Sequence, residues 1–196
     1  MLLTFAELHF LVSLADSEPE LPLLELLEHP VRQHDDIAAA GLASLVAREL
    51  CREFGAPDSA TYEVELDREI VELHAAVHGA STSIQVATVS PERCAFWLVL
   101  VGRRRAAFTP VGAGVFGAVV MPLGVDLREQ IVSLVSSALV DDPAAGVAIT
   151  RRGRLDAMSF LTNDELGGPD AGVEERRSAI EHLVDGVFAR HHPSLG

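Results

Sequence analysis

The spacing of the apolar residues changes at Gly79, and this change constrains the fold more than any other feature of the sequence. After it come four segments of strand length, joined by short connections that contain Pro91, Gly102, Gly112 and Gly114. Short connections of this kind join antiparallel neighbours. The sequence therefore predicts an antiparallel meander of four strands, at Ser83–Ser90, Cys94–Val101, Arg105–Val111 and Val115–Met121.

Residues 1–79 are predicted to form a mainly helical N-terminal part, because apolar residues recur there at helical spacing. Thr4 and Glu7 fit a capping box, which predicts a helix that begins at Thr4. A second amphipathic pattern predicts a helix over Leu66–His78. The residues at its start can instead form extended strand, because Tyr62 and Val64 alternate with acidic residues.

A longer helix is predicted from Asp35 or Asp36 up to Gly55, where glycine ends the helical pattern. This interpretation places Cys51 on a helix, whereas Cys94 begins a strand. Two cysteines without CxxC spacing are typical of buried thiols in a reducing compartment, and a disulfide between them is the alternative.

The meander is followed by one helix, one hairpin and a last helix. Asp126 and Glu129 fit another capping box, which opens a helix near residues 126–140. A hairpin is predicted at Val147–Arg151 and Leu155–Leu161, and a C-terminal helix near 173–191. The expected fold is one α+β domain over residues 1–196. Its central antiparallel sheet, of about six strands within 80–165, is flanked by N-terminal, middle and C-terminal helices.

The composition narrows the partners that the chain can bind. The net charge is −14 over 196 residues, so the protein repels nucleic-acid phosphates and anionic lipid. All fifteen basic residues are arginine, which excludes a lysine Schiff base and a P-loop lysine. The N-terminus lacks a basic region, and no apolar run reaches membrane-spanning length. We therefore expect a cytoplasmic protein without membrane insertion or nucleic-acid binding.

Two patterns resemble functional motifs but fail on context. Gly112, Gly114 and Gly117 fit GxGxxG, yet strand-forming residues follow them where a dinucleotide fold needs a helix. His74 and His78 have the spacing of a zinc-protease helix, but Ala75 occupies the position of the catalytic glutamate. We expect no catalytic, cofactor-binding or metal-binding residue, and hence no enzyme.

Arg103, Arg104 and Arg105 fall at one predicted strand turn, and three more arginines fall at another, within residues 151–154. If both turns share an edge of the sheet, they form a basic patch that could pair with an acidic partner. The alternative is ordinary solubilising charge at hairpin turns.

Phe96 and Trp97 are adjacent in a predicted strand and therefore point to opposite faces of the sheet. One is expected in the core, and the other under a helix or on an exposed binding face. Together with the three arginines at 103–105, they are the predicted partner-binding residues.

The order of elements resembles the EspG family of type VII secretion-associated proteins. The similarity is of pattern and covers about residues 1–140. It is carried by the segments Leu3–Leu8, Leu21-Pro22, Ala39–Leu45, Gly102–Arg105 and Leu127–Leu139. It implies a cytosolic chaperone without a cofactor, whose central sheet and helices bind the helical tip of PE–PPE-type substrates. No family binding motif matches specific positions, so the resemblance transfers no site residue.

The main hypothesis is a non-catalytic binding protein or chaperone for a helical protein partner. One alternative is a structural or regulatory subunit of a homo- or hetero-oligomer, with the sheet edge or the final helix as its interface. Another is an enzyme or ligand-binding domain whose site is assembled from distant residues.

Overall fold

A computed structural model of the protein describes residues 1–14, 35–54, 63–153, 156–168 and 171–189. Within these residues lie five helices: α1 (Phe5–Ser13), α2 (Asp35–Ala47), α3 (Arg68–His78), α4 (Leu127–Asp141) and α5 (Val173–Phe188). The described strands are β1 (Leu2–Thr4), β2 (Cys51–Phe54), β3 (Glu63–Leu66), β4 (Ala80–Val89), β5 (Cys94–Gly102), β6 (Arg105–Gly112), β7 (Val115–Met121), β8 (Gly146–Arg152) and β9 (Ala157–Leu161).

Seven of the strands form one antiparallel sheet in the order β1-β7-β6-β5-β4-β8-β9, and β2 pairs with β3 in a separate two-stranded sheet. This confirms the α+β prediction and the positions of the four meander strands and the later hairpin. The sheet has one strand more than expected because Leu2–Thr4 pairs with β7. Three residues are too few to show a strand period in the sequence.

The chain groups into two compact units. Unit 1 comprises Met1–Ala80 and Val101–Met121, and unit 2 comprises Ser81–Leu100 and Pro122–Gly196. The single domain over residues 1–196 therefore stays a prediction, and each unit is described by itself. None of the described helices is long and apolar enough to cross a membrane.

In unit 1, helices α1 and α2 pack closely through small residues. A Cβ atom on Gly41 of α2 would lie 2.0 Å from the carbonyl oxygen of Ala6 in α1. Glycine is therefore what allows the two backbones to meet. The buried side chains of unit 1 include Leu8, Leu11, Leu45, Ile70, Leu73, Phe108 and Phe116.

The buried carboxylate of Glu7 joins three segments of unit 1. The capping box with Thr4 is present as predicted. One nitrogen of Arg48, Nη1, also donates to both carboxylate oxygens at 2.8 Å, and Ser44 Oγ donates at 2.8 Å. Burial alone would raise the pKa of Glu7, but the Thr4 amide, the Ser44 hydroxyl and the Arg48 guanidinium together lower it below 4.5. The ionised side chain of Glu7 therefore links α1 to the end of α2.

The predicted continuation of the second helix to Gly55 is wrong, because α2 ends at Ala47. The Leu50 amide donates to Leu45 at 2.9 Å, while Glu49 takes a left-handed conformation with φ 59°. Cys51 consequently begins strand β2, opposite Leu66 of β3, and does not lie on a helix. The left-handed position that ends helices is usually glycine, so a glutamate there gives no signal in the sequence.

Replacing Glu49 with glycine is expected to stabilise the protein by roughly 0.5–1 kcal/mol. A left-handed residue with a Cβ atom costs about 1–2 kcal/mol, and the greater unfolded-state freedom of glycine offsets part of the gain. Chemical denaturation of the variant measures this difference. The same change at Ala43, an exposed residue inside α2, should instead destabilise by about 1 kcal/mol.

The remaining predictions concern the start of α3, the thiol of Cys94 and three segments outside the described residues. Asp67 caps α3 by accepting from the Glu69 amide at 2.9 Å, so the alternating residues before it are strand β3. Cys94 begins β5 as predicted, but its thiol is exposed, which corrects the prediction of two buried thiols. The predicted loop at 17–22, the helical turn at 23–27 and Arg154 lie outside the described residues.

Candidate functional site

The predicted partner-binding residues are divided between the two units. Phe96 and Trp97 are half-buried in the part of β5 that belongs to unit 2. The arginines lie in unit 1, where Arg104 pairs with Glu72 at 2.7 Å. Arg103 is exposed and Arg105 is half-buried. The role of all five in partner binding stays a prediction.

The second arginine group takes part in the packing of unit 2. The guanidinium carbon of Arg151 lies 5.8 Å from the centre of the Phe188 ring, and that of Arg128 lies 5.3 Å from it. Arg128 also pairs with Asp185 at 3.0 Å. These cation–π contacts hold α5 against β8 and the start of α4. They give Arg151 a structural role in unit 2, and Arg152 is exposed.

Strands β4, β8 and β9 of unit 2 have one helix-covered face. Ile149 lies between Val86 of β4 and Ser159 of β9 in the ladder. Helix α5 packs against β8 and β9, and a Cβ atom on Gly186 would lie 3.5 Å from Ser159 Oγ. This face is buried, as expected for the side of a sheet that faces a core. Its buried members include Ile84, Val86, Val147, Ile149 and Ala157.

The other side of these strands, here called the open face, carries exposed apolar side chains. Met158 is 60% exposed and Phe160 is 61% exposed, although both are large and apolar. The register places Thr150 beside Met158 and Ala148 beside Phe160. Large exposed apolar residues that adjoin one another are characteristic of interaction surfaces. The open face comprises Gln85, Ala87, Val89, Ala148, Thr150, Met158 and Phe160.

The open face combines small and large side chains. Ala87 and Ala148, which are small, lie opposite each other on the two inner strands. Met158 and Phe160, which are large and exposed, lie on the same side of the neighbouring strand β9. The exposed apolar surface of this face is therefore concentrated on β9.

Phe96 of β5 lies on the same side of the sheet as the open face. The Ser90 amide donates to the Arg93 carbonyl at 2.8 Å and closes the turn between β4 and β5. In an antiparallel pair closed in this way, Val89 lies opposite Cys94 and Ala87 lies opposite Phe96. Phe96 therefore points to the side of the open face and Trp97 points to the helix-covered side. Leu98 and Leu100 lie on the same side as Phe96 and are buried, so the exposed apolar surface does not continue across β5.

The two motifs that resemble functional sites are the glycines at 112–117 and the pair His74 and His78. Gly112 ends β6, Gly114 has φ 71° in the turn and Gly117 lies in β7, as the sequence predicted for this segment. The rings of His74 and His78 are 4.5 Å apart, and His78 Nε2 lies 3.0 Å from the Leu11 carbonyl. Burial and the neighbouring His78 lower the pKa of His74. No group of three or more metal-ligating side chains occurs in the described part of the chain.

A cavity of about 410 Å³ lies in unit 1, between the end of α2 and the β2–β3 hairpin. Its lining mixes acidic and basic side chains, and its thiol, Cys51, is buried. A reactive cysteine needs an accessible thiol near a base or a cation, so burial argues against chemistry at this sulfur. The described side chains lining the cavity are Glu49, Leu50, Cys51, Arg52, Glu65, Leu66, Asp67 and Arg68.

The open face could not be found from the sequence. Met158 and Phe160 alternate with small residues, a pattern that ordinarily marks the buried side of a strand. Both side chains are exposed because α5 packs on the opposite side of β9. No protein-family model matches the chain, and no curated protein is significantly similar to it.

Proposed function

We propose that the protein is a non-catalytic, cytosolic binding protein or chaperone that holds a helical segment of another polypeptide on its open face. The exposure of Met158 and Phe160 carries this proposal, since burial of large apolar side chains is the main source of binding free energy. Exposed aromatic and methionine side chains are enriched where proteins associate.

The shape of the surface favours a helix as the bound element. An amphipathic helix presents apolar side chains at intervals of three and four residues, and these can lie along a groove. The small side chains of Ala87 and Ala148 would allow a helix to approach closely, while Met158 and Phe160 would contact one flank of it. If the resemblance to the EspG family reflects common ancestry, the bound helix is the tip of a PE–PPE-type secretion substrate.

Site-specific crosslinking can identify the partner. A photoreactive phenylalanine analogue replaces Phe160 in the full chain, and a matched control places it at Val140, which is 75% exposed on α4 of the same unit. We expect position 160, and not position 140, to crosslink a protein whose captured segment is helical by circular dichroism. Equal crosslinking at both positions would contradict a dedicated surface.

The purified partner is expected to bind Phe160→Ser roughly 10–100-fold more weakly than wild type. Burial of one phenylalanine contributes about 1.5–3 kcal/mol, and a factor of ten corresponds to about 1.4 kcal/mol. Calorimetry or fluorescence anisotropy gives the two dissociation constants. Val140→Ser is the control and should bind as wild type does. Unchanged affinity of Phe160→Ser would mean that the partner docks elsewhere.

A further inference from the structure

Strand β9 ends the seven-stranded sheet of the described residues, and its own sequence carries no charged residue or proline to guard the edge. Among the described strands, β9 has a neighbour, β8, on one side only. The five residues Ala157–Leu161 contain no charge and no proline, and their pairing with β8 is regular. Natural edge strands are normally shortened, bulged or guarded by charged residues and proline. An unguarded edge with exposed Met158 and Phe160 is suited to receive another strand.

The residues of β9 are arranged so that the strand can pair with β9 of a second copy. In a two-fold dimer with antiparallel strands the axis is perpendicular to the sheet, so both copies present the same face on the same side. A centre at Ser159 gives the longest overlap, with all five residues paired. Met158 of each copy then lies opposite Phe160 of the other, on the open face. Apolar cross-strand pairs of this kind stabilise antiparallel ladders.

The charges at the two ends of β9 agree with this arrangement. Residues 151–156, before the strand, contain three arginines and one aspartate, and the exposed Arg152 lies here. After the strand, Asp164 and Glu165 are exposed and no basic residue accompanies them up to Gly168. An antiparallel pair brings the first end of each copy beside the second end of the other. Opposite charges therefore meet twice, although the chain as a whole is acidic.

We propose that two copies of this chain associate through β9, with Ser159 opposite Ser159 of the second copy, so that the two sheets become one. The open faces of the two copies then adjoin on one side of the joined sheet. A contact of five residues on each copy buries little area, so the dimer is weak, with a dissociation constant in the micromolar range. The proposal does not depend on the proposed helical partner, because dimer mass and partner binding are measured separately.

Light scattering of the full chain tests the association. At about 100 μM, well above a micromolar dissociation constant, we expect a mass of twice 21.0 kDa. Met158→Lys should raise the dissociation constant more than about ten-fold, since lysine is the characteristic guard of edge strands. Val140→Lys, which introduces the same charge at an exposed position on α4, should leave the dimer intact.

A charge reversal tests the orientation. Arg152→Glu should weaken the dimer about five- to ten-fold, and addition of Asp164→Arg should restore part of the affinity, because the charges at positions 152 and 164 again have opposite signs. A monomeric wild type at 100 μM would overturn the proposal. So would a Met158→Lys variant that dimerises as well as Val140→Lys does. Failure of the charge reversal to respond to the second change would exclude the antiparallel register.

Discussion

Replacing Gly41 with alanine is expected to destabilise the protein by about 3 kcal/mol or more. The new methyl group would lie 2.0 Å from the Ala6 carbonyl oxygen, 2.5 Å from its carbon and 2.9 Å from Phe10 Cβ. Two of these atoms belong to backbone, so the helices must separate. Overpacking of this kind costs typically 1–3 kcal/mol and sometimes more. This outweighs the roughly 1 kcal/mol that alanine gains over glycine inside a helix.

Gly186→Ala is the matched control for Gly41→Ala. Gly186 also lies inside a helix, α5, but its added methyl group would meet Ser159 Oγ at an ordinary 3.5 Å. Only the helix-propensity gain remains, so we expect stabilisation by up to about 1 kcal/mol. Urea denaturation of both variants gives opposite signs. A stabilised Gly41→Ala would show that α1 and α2 do not pack as closely as the structure has them.

Replacing Arg48 with methionine is expected to cost about 3 kcal/mol at pH 7. The change removes the guanidinium contacts to both oxygens of Glu7 and the 2.9 Å bond to the Leu2 carbonyl. It leaves a carboxylate with no exposed surface and only the Thr4 and Ser44 donors. A buried charge that loses its partner is the costly case, at about 3–5 kcal/mol. The value lies at the low end because two donors remain.

The pH dependence distinguishes this electrostatic loss from a loss of packing. In the wild type the pKa of Glu7 is lowered, so its contribution is fully present above about pH 4.5 and is lost as the pH falls through the folded-state pKa. In Arg48→Met, only the Thr4 and Ser44 donors still offset the burial of the Glu7 carboxylate, so protonation of Glu7 relieves part of the penalty. The difference between the two proteins should therefore shrink from pH 7 to pH 4. A difference that stays constant would mean that Arg48 acts through packing alone.

Glu7→Gln in the Arg48→Met background measures how much of the lost stability comes from the unpaired charge of Glu7. The amide keeps the shape of the side chain and carries no charge, so the double variant should be more stable at pH 7 than Arg48→Met alone. Its stability should also change less between pH 7 and pH 4. If the double variant were less stable still, the hydrogen bonds of the carboxylate would matter more than its charge.

The sequence alone determined those elements of this protein that depend on neighbouring residues. Thr4 with Glu7, and Asp126 before α4, cap helices through bonds to nearby residues of the same segment, so a few letters suffice to place them. The same holds for the meander and the later hairpin, whose short glycine-containing or proline-containing turns force neighbouring strands to pair. These predictions needed no contact between distant parts of the chain.

Only the tertiary structure decided where α2 ends, which cysteine is exposed and which side of β9 is open. Glu49 takes the left-handed conformation without the glycine that would announce it, and Arg48 reaches back to Glu7 across forty-one positions. Met158 and Phe160 have the alternation of a buried strand, yet α5 covers the opposite side. The period of a strand separates its two faces but does not say which one a distant helix will cover. Which face is covered depends on long-range packing. The surface to which we assign the function therefore depends on it as well.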